Sequence, residues 1–196
     1  MSSDAVSVLI FFHPVPGGGS RAVLHRDDRV TLEMRSYDRK WRVPHDLAHA
    51  VTERELRLGG GVFGCIAAGA LFSSVRVLEG RQRHDAAALS RQVIACHERE
   101  IGIAEALTGA VHATVEHGRH SAFPAARDAW ASVREEPFPY TEMDLQRATS
   151  ALTRLADAFT HLPAATGLRF EWPRRLTAAA VPTTRPRSQP GRRRVR

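Results

Sequence analysis

His45 and His49 stand four residues apart in the segment Val43-Pro44-His45-Asp46-Leu47-Ala48-His49. On a helix that spacing puts both imidazoles on one side, one turn apart, which is the geometry of an H-x-x-x-H zinc site. Projection at about 100° per residue places Leu47, Ala50, Val51 and Leu58 on one face. His45, His49, Thr52, Glu53 and Leu56 fall on the opposite one. The histidines are therefore segregated from the apolar stripe. A helix start also disfavours imidazolium through its positive dipole end, which keeps the rings neutral and able to ligate. Asp46, between them, invites comparison with the H-E-x-x-H motif of zinc hydrolases, whose glutamate activates metal-bound water. Aspartate is one methylene shorter, and this pair sits at a helix start, so a simple charge–dipole role for Asp46 competes. Glu53 follows His49 by one turn. It lies about 12 Å along the axis from His45, too far to share a metal with it, and suits a hydrogen bond from the second ring nitrogen of His49. Asp46 and Glu53 are the candidate bases.

A metal site needs a third ligand from another segment. The stretch from Asp85 to Gly118 reads as one long helix, bent at Gly102, with an apolar stripe of Leu89, Val93, Ala104, Leu107 and Val111. His97 and Glu100 interrupt that stripe, and polar groups on a core-facing stripe are costly unless paired or metal-bound. They are the candidates to complete the site with zinc or another divalent metal, and His112, at the stripe's boundary, ranks next. Glu98, Glu116 and His120 project outward. A hydrogen bond between His97 and Glu100 along the helix is the competing reading.

The elements that would carry these residues suggest an α+β fold, with a small antiparallel N-terminal sheet packed against about five helices. Ala5 to Phe12 is rich in strand formers, and Gly17 to Gly19 make a loop. Ala22 to Arg26 and Arg29 to Ser36 flank a tight turn at Asp27-Asp28. In the second arm Val30, Leu32 and Met34 alternate with Thr31, Glu33 and Arg35, so one sheet face is made to be covered. Pro44 suits the first turn of the histidine helix, and Gly59 is expected to stop it. A small-residue helix follows from about Val62 to Ser74. Further helices are read over Pro124 to Glu135 and from a Thr141 cap, with Asp144 completing a capping box, to about His161. Leu168 to Trp172 is a strand able to rejoin the sheet.

Composition limits the classes of function. The chain of 196 residues carries +7, which looks like a nucleic-acid signal until it is located. Eight arginines and no acid lie between Arg174 and Arg196, so removing them from +7 leaves about −1 for residues 1–173. Residues 1–173 read as one globular domain and 174–196 as a disordered arginine-rich tail. That tail has no interleaved aromatics for base stacking, so it would hold nucleic acid only weakly. The apolar run from Val62 to Phe72 falls far short of the roughly 20 residues that cross a bilayer. The stretch from Val6 to Phe12 lacks the flanks of a signal peptide. Cys65 and Cys96 show no CxxC spacing and sit in apolar helical surroundings that make a thiol inert. Gly17 to Gly19 lacks the Gly-Lys-Ser/Thr of a phosphate loop, so no nucleotide cofactor is indicated. A cytoplasmic protein is the expectation, with no membrane association.

The His-Asp-Leu-x-His core, with Glu53, Gly59 to Gly61, Phe63-Gly64 to Gly69 and the closing Glu171-Trp172-Pro173, resembles a group of uncharacterised bacterial proteins. In that group a proline or leucine precedes His-Asp-Leu-x-His, Val-Glu ends the turn, and Gly-Phe-Trp-Gly follows. This chain departs from the pattern at Thr52 and Val62-Phe63. The resemblance implies a shared architecture and a common site, and it names no reaction.

Two functions compete on these residues. One is a metal-binding protein, in its fuller form a metal-dependent hydrolase acting on a small molecule or protein. It would use His45 and His49 as ligands, His97 or Glu100 as the third, and Asp46 or Glu53 as base. The other is a non-catalytic binding or regulatory module whose histidines are structural.

Overall fold

The computed structural model of the chain describes residues 5–36, 40–163 and 166–180. In chain order the elements are β1 (Val6–Pro14), β2 (Ser20–Arg26), β3 (Thr31–Ser36), α1 (His45–Glu55) and α2 (Val62–Ala67). They continue with β4 (Val75–Glu79), α3 (Ala86–Cys96), α4 (Glu98–Glu116), α5 (Phe123–Val133), α6 (Glu142–Thr160) and β5 (Leu168–Pro173). The fold is α+β. Its sheet is antiparallel in the order β4-β3-β2-β1-β5; the last strand rejoins the sheet as expected, and its place is beside β1. β4 was not expected. Its Val-Arg-Val alternation between Ser74 and Gly80 is a short strand signal, and the preceding small-residue helix stops at Ala67 rather than Ser74, where Gly69 turns left-handed at φ 106°.

Alternation decides which sheet face is covered. Val8, Ile10 and Phe12 of β1, Ala22 and Leu24 of β2, and Leu32 and Met34 of β3 are buried, as are Phe170 and Trp172 of β5. The intervening residues turn to the other face. Against the covered face lies α6, which touches β1 and β5, and α1 packs on both α6 and α4. Every residue from Leu47 to Glu53 is buried, including the polar His49, Thr52 and Glu53. The face opposite the apolar stripe is therefore not a solvent face, because α4 covers it. α6 starts at the expected capping box: Thr141 accepts from the Asp144 amide while the Asp144 carboxylate accepts from the Thr141 amide.

Two helix ends differ from expectation in ways that matter for the site. α1 closes with Leu58 N donating to Glu53 O at 2.8 Å and Arg57 N to Arg54 O at 3.3 Å. This is a Schellman stop, and Arg57 occupies its left-handed position at φ 59°, two residues before Gly59. The long helix breaks at His97 (φ −111°, ψ 14°) into α3 and α4, while Gly102 lies within α4. At the C-terminus the chain stays packed beyond Pro173. A 3-10 turn at Arg174–Leu176 buries Leu176, and Ala178 is buried as well. Residues 181–196, which carry the rest of the arginine-rich tail, lie outside the described residues. Among the described residues no helix is long and apolar enough to cross a membrane.

Candidate metal centre

α1 begins at His45, directly after Pro44, so His45 and His49 open the helix and occupy its first two turns. The rings approach to 4.7 Å between centroids, at 66° to each other. His49 is buried and His45 half-buried. Across from them α4 contributes Glu105. One ligand atom from each of His45, His49 and Glu105 lies within 4.8 Å of the others. Two bonds of about 2.1 Å at a tetrahedral angle place ligand atoms about 3.4 Å apart. His49 Nε2 and Glu105 Oε2 already stand at 3.1 Å.

His49 is held from both sides. Its Nδ1 lies 3.0 Å from Glu53 Oε1 and its Nε2 faces Glu105. Burial alone would lower its pKa. The hydrogen bonds to Glu105 and Glu53, with their charges, outweigh that and raise it from the ordinary 6.5 to about 9. Burial also raises Glu53, so the proton belongs to the pair rather than to either group. The expectation that a helix start keeps this ring neutral fails for the metal-free state, because two carboxylates outweigh the dipole.

Glu53 does more than orient a ring. Its Oε1 accepts from Val62 N at 3.1 Å and its Oε2 from Phe63 N at 2.9 Å. The side chain thereby satisfies amides in the first turn of α2, while its backbone carbonyl closes α1. Gly61 allows this, since a Cβ there would lie 2.5 Å from Glu53 Oε2. With both oxygens committed, Glu53 is a positioning residue. Asp46 differs. Its Oδ2 is buried with no hydrogen-bond partner among the described residues. Burial raises its pKa from 3.8 to about 6, with His49 opposing the rise and Glu105 adding to it.

His97 and Glu100 are not brought to the histidine pair. His97 sits at the α3–α4 break, where its Nε2 lies 3.2 Å from Ala179 O. Its Nδ1 lies 3.9 Å from Glu100 Oε2, beneath Gly60. That contact is too long for the expected hydrogen bond between them, and His97 Nδ1 has no hydrogen-bond partner among the described residues. Both residues stand at the N-terminal end of α4, against Gly60 in the loop after α1 rather than against its histidines. His112 reaches the site's edge, with its ring 5.7 Å from that of His45, but its Nε2 is bonded to Val43 O at 2.9 Å. Glu116, expected to point outward, turns inward and accepts from Val43 N. Trp41 closes this side, 5.7 Å from His112 and 5.9 Å from His117.

Glu105 escaped the sequence reading. The signal that could have found it is the row Glu105, Thr108, His112 and Glu116, at i, i+3, i+7 and i+11 on α4. A polar row on one helix matches the polar face His45, His49, Thr52 and Glu53 on another. Of the cysteines, Cys65 is buried and its thiol is pushed up to about 12, chiefly by burial. Cys96 is exposed rather than set in an apolar interior. No protein-family model, no curated protein and no solved structure matches the chain.

Proposed function

We propose that the chain binds a divalent metal, zinc or an ion of similar preference, through His45, His49 and Glu105, and that the bound ion serves a hydrolytic reaction. The observation that carries this reading is the convergence of two imidazoles and a carboxylate from two helices within 4.8 Å. Two histidines and one carboxylate form a donor set that zinc and other first-row divalent ions accept with positions left for water or substrate. Glu53 supports it by fixing the Nδ1 proton of His49, which turns Nε2 toward the other ligands. When bound, the ion would polarise a substrate oxygen and lower the pKa of a water. Asp46 suits the base, with an unpartnered buried oxygen and a pKa of about 6, near working pH. Cys65 and Cys96 are both free thiols, the state that a reducing compartment such as the cytoplasm maintains.

One observation favours a second reading. Both ring nitrogens of His49 already lie at hydrogen-bond distance from carboxylates. An imidazolium bridging Glu53 and Glu105 would pin α1 to α4 with no metal at all.

Elemental analysis of protein purified without a histidine tag, followed by calorimetric titration of the chelated protein with Zn²⁺, separates the two. The metal reading expects about one ion per chain and at least tenfold weaker binding in Glu105→Ala, a half-exposed position whose replacement leaves the core intact. Titration without saturable binding, or affinity in Glu105→Ala and His49→Ala unchanged from that of the unaltered chain, leaves the structural bridge as the function of these residues.

A further inference from the structure

The uncovered face of the sheet holds a second constellation, remote in the fold from the histidine pair. Glu33, in the middle of β3, points to this face and yet is only 1% exposed. It is covered by three guanidiniums from three strands. Arg35 binds it through Nε at 2.9 Å and Nη2 at 3.3 Å. Arg76 of β4 binds it through Nε, and Arg21 Nη1 of β2 stands 3.8 Å away. The register explains the convergence, since Glu33 pairs directly with Arg76 and Arg21 with Arg35.

One carboxylate balances one guanidinium. Arg35 already engages Glu33 through two N–H groups, so Arg21 and Arg76 bring two further guanidiniums to a carboxylate that is already matched. The arrangement also leaves donors pointing outward. Arg76 engages Glu33 through its Nε edge, and Arg21 reaches it through a single Nη, whereas a guanidinium has five N–H groups. The side chains of Arg21 and Arg76 are 42% and 60% exposed, above a carboxylate that fixes their positions. Ser73 and Ser74 complete an open cleft with Arg35, Arg76 and Glu33, and both serines are exposed. Fixed guanidinium forks beside hydroxyls match the tetrahedral oxygens of a phosphate.

We propose that this cradle binds a phosphate-class oxyanion, with Arg21, Arg35 and Arg76 supplying charge and Ser73 and Ser74 supplying hydroxyl donors. Glu33 is the positioning residue beneath them. The anion comes either as free phosphate or as the phosphomonoester of a larger ligand.

The test follows backbone amide resonances of the full chain during titration with inorganic phosphate, and separately with phenyl phosphate, against sodium chloride at matched ionic strength. Saturable shifts centred on residues 73–76, absent with chloride, are expected. Arg76→Ala and Arg21→Ala should each weaken them at least tenfold, the scale of one charge-assisted hydrogen bond. Replacing Arg192, Arg193 and Arg194 with alanine should leave them unchanged. Saturation by inorganic phosphate alone identifies the free ion, and tighter binding of phenyl phosphate identifies an ester. Shifts that never saturate, that chloride reproduces, or that survive both cradle substitutions while vanishing with the tail arginines overturn the proposal. No metal takes part, so the outcome is independent of the reading of the histidine site.

Discussion

Replacing Glu53 removes three hydrogen bonds at once, two to the amides of Val62 and Phe63 and one to His49 Nδ1. Glu53→Ala leaves all three donors in a fully buried position, and each unsatisfied donor costs roughly 1–3 kcal/mol. Water entering the vacated space relieves part of that, so about 4–5 kcal/mol is expected, near the upper end for single substitutions. Glu53→Gln keeps the shape and one acceptor oxygen, but its amide group turns a donor toward another donor, for a loss of about 2–3 kcal/mol. Against a total stability of roughly 5–15 kcal/mol these are large fractions. Urea unfolding reads them directly. With a slope of about 2 kcal/mol per molar, the midpoint should fall by about 2 M for alanine and about 1 M for glutamine. His49→Gln combined with Glu53→Gln should cost less than the sum of the two, because the pair acts as a unit. Losses below about 1 kcal/mol for both Glu53 variants would refute the role assigned to this carboxylate.

The metal-free protein should lose stability as pH rises from about 6.5 to 9. The folded pKa of His49 lies above its ordinary value, so its contribution is complete below 6.5 and gone once pH passes about 9. The rise corresponds to roughly 3 kcal/mol at most, less for screening at the half-exposed Glu105; urea midpoints at pH 6 and 9.5 measure it, and His49→Gln should flatten the difference. Gly64→Ala should abolish cooperative unfolding, since its Cβ would fall 1.8 Å from Gly59 O and 2.7 Å from Leu176 O, both backbone atoms that cannot turn aside. A near-native circular dichroism melt of that variant would contradict the packing of the α1–α2 loop against the C-terminal turn.

The sheet was legible because alternation and turn chemistry are local. Val30, Leu32 and Met34 declare a covered face without reference to anything distant, and Gly17 to Gly19 with φ of 84°, 100° and 89° turn the first hairpin. Half of the candidate site was legible for the same reason, since His45 and His49 share one helix and Glu53 is one turn further. The other half depends on where α4 crosses α1. That depends in turn on the break at His97, where no glycine or proline marks the chain. Projection puts Glu100 on one stripe with Ala104, Leu107 and Val111 but does not tell that this end of α4 meets Gly60, past the end of α1, while Glu105, off that stripe, meets His49. Glu33 shows where alternation stops informing. Alternation correctly turned it from the core, but its burial comes from arginines on neighbouring strands, which only the strand order reveals.

Charge counting connects the two readings of the histidine site. In the metal-free state an imidazolium at His49 faces two carboxylates, Glu53 and Glu105, so the trio carries −1 in partly buried surroundings. The burial-raised pKa of Asp46, about 6, keeps part of a further negative charge suppressed. A divalent ion that displaces the Nε2 proton brings the same trio to zero, with Glu53 still holding the Nδ1 proton. A structural bridge would be balanced with one carboxylate. A bridge needs Glu105 to reach α4 yet leaves that excess charge standing, whereas a divalent ion held also by His45 removes it. On that difference the proposed function rests more heavily than on the histidine spacing, which ten histidines in a chain of 196 residues could produce by chance.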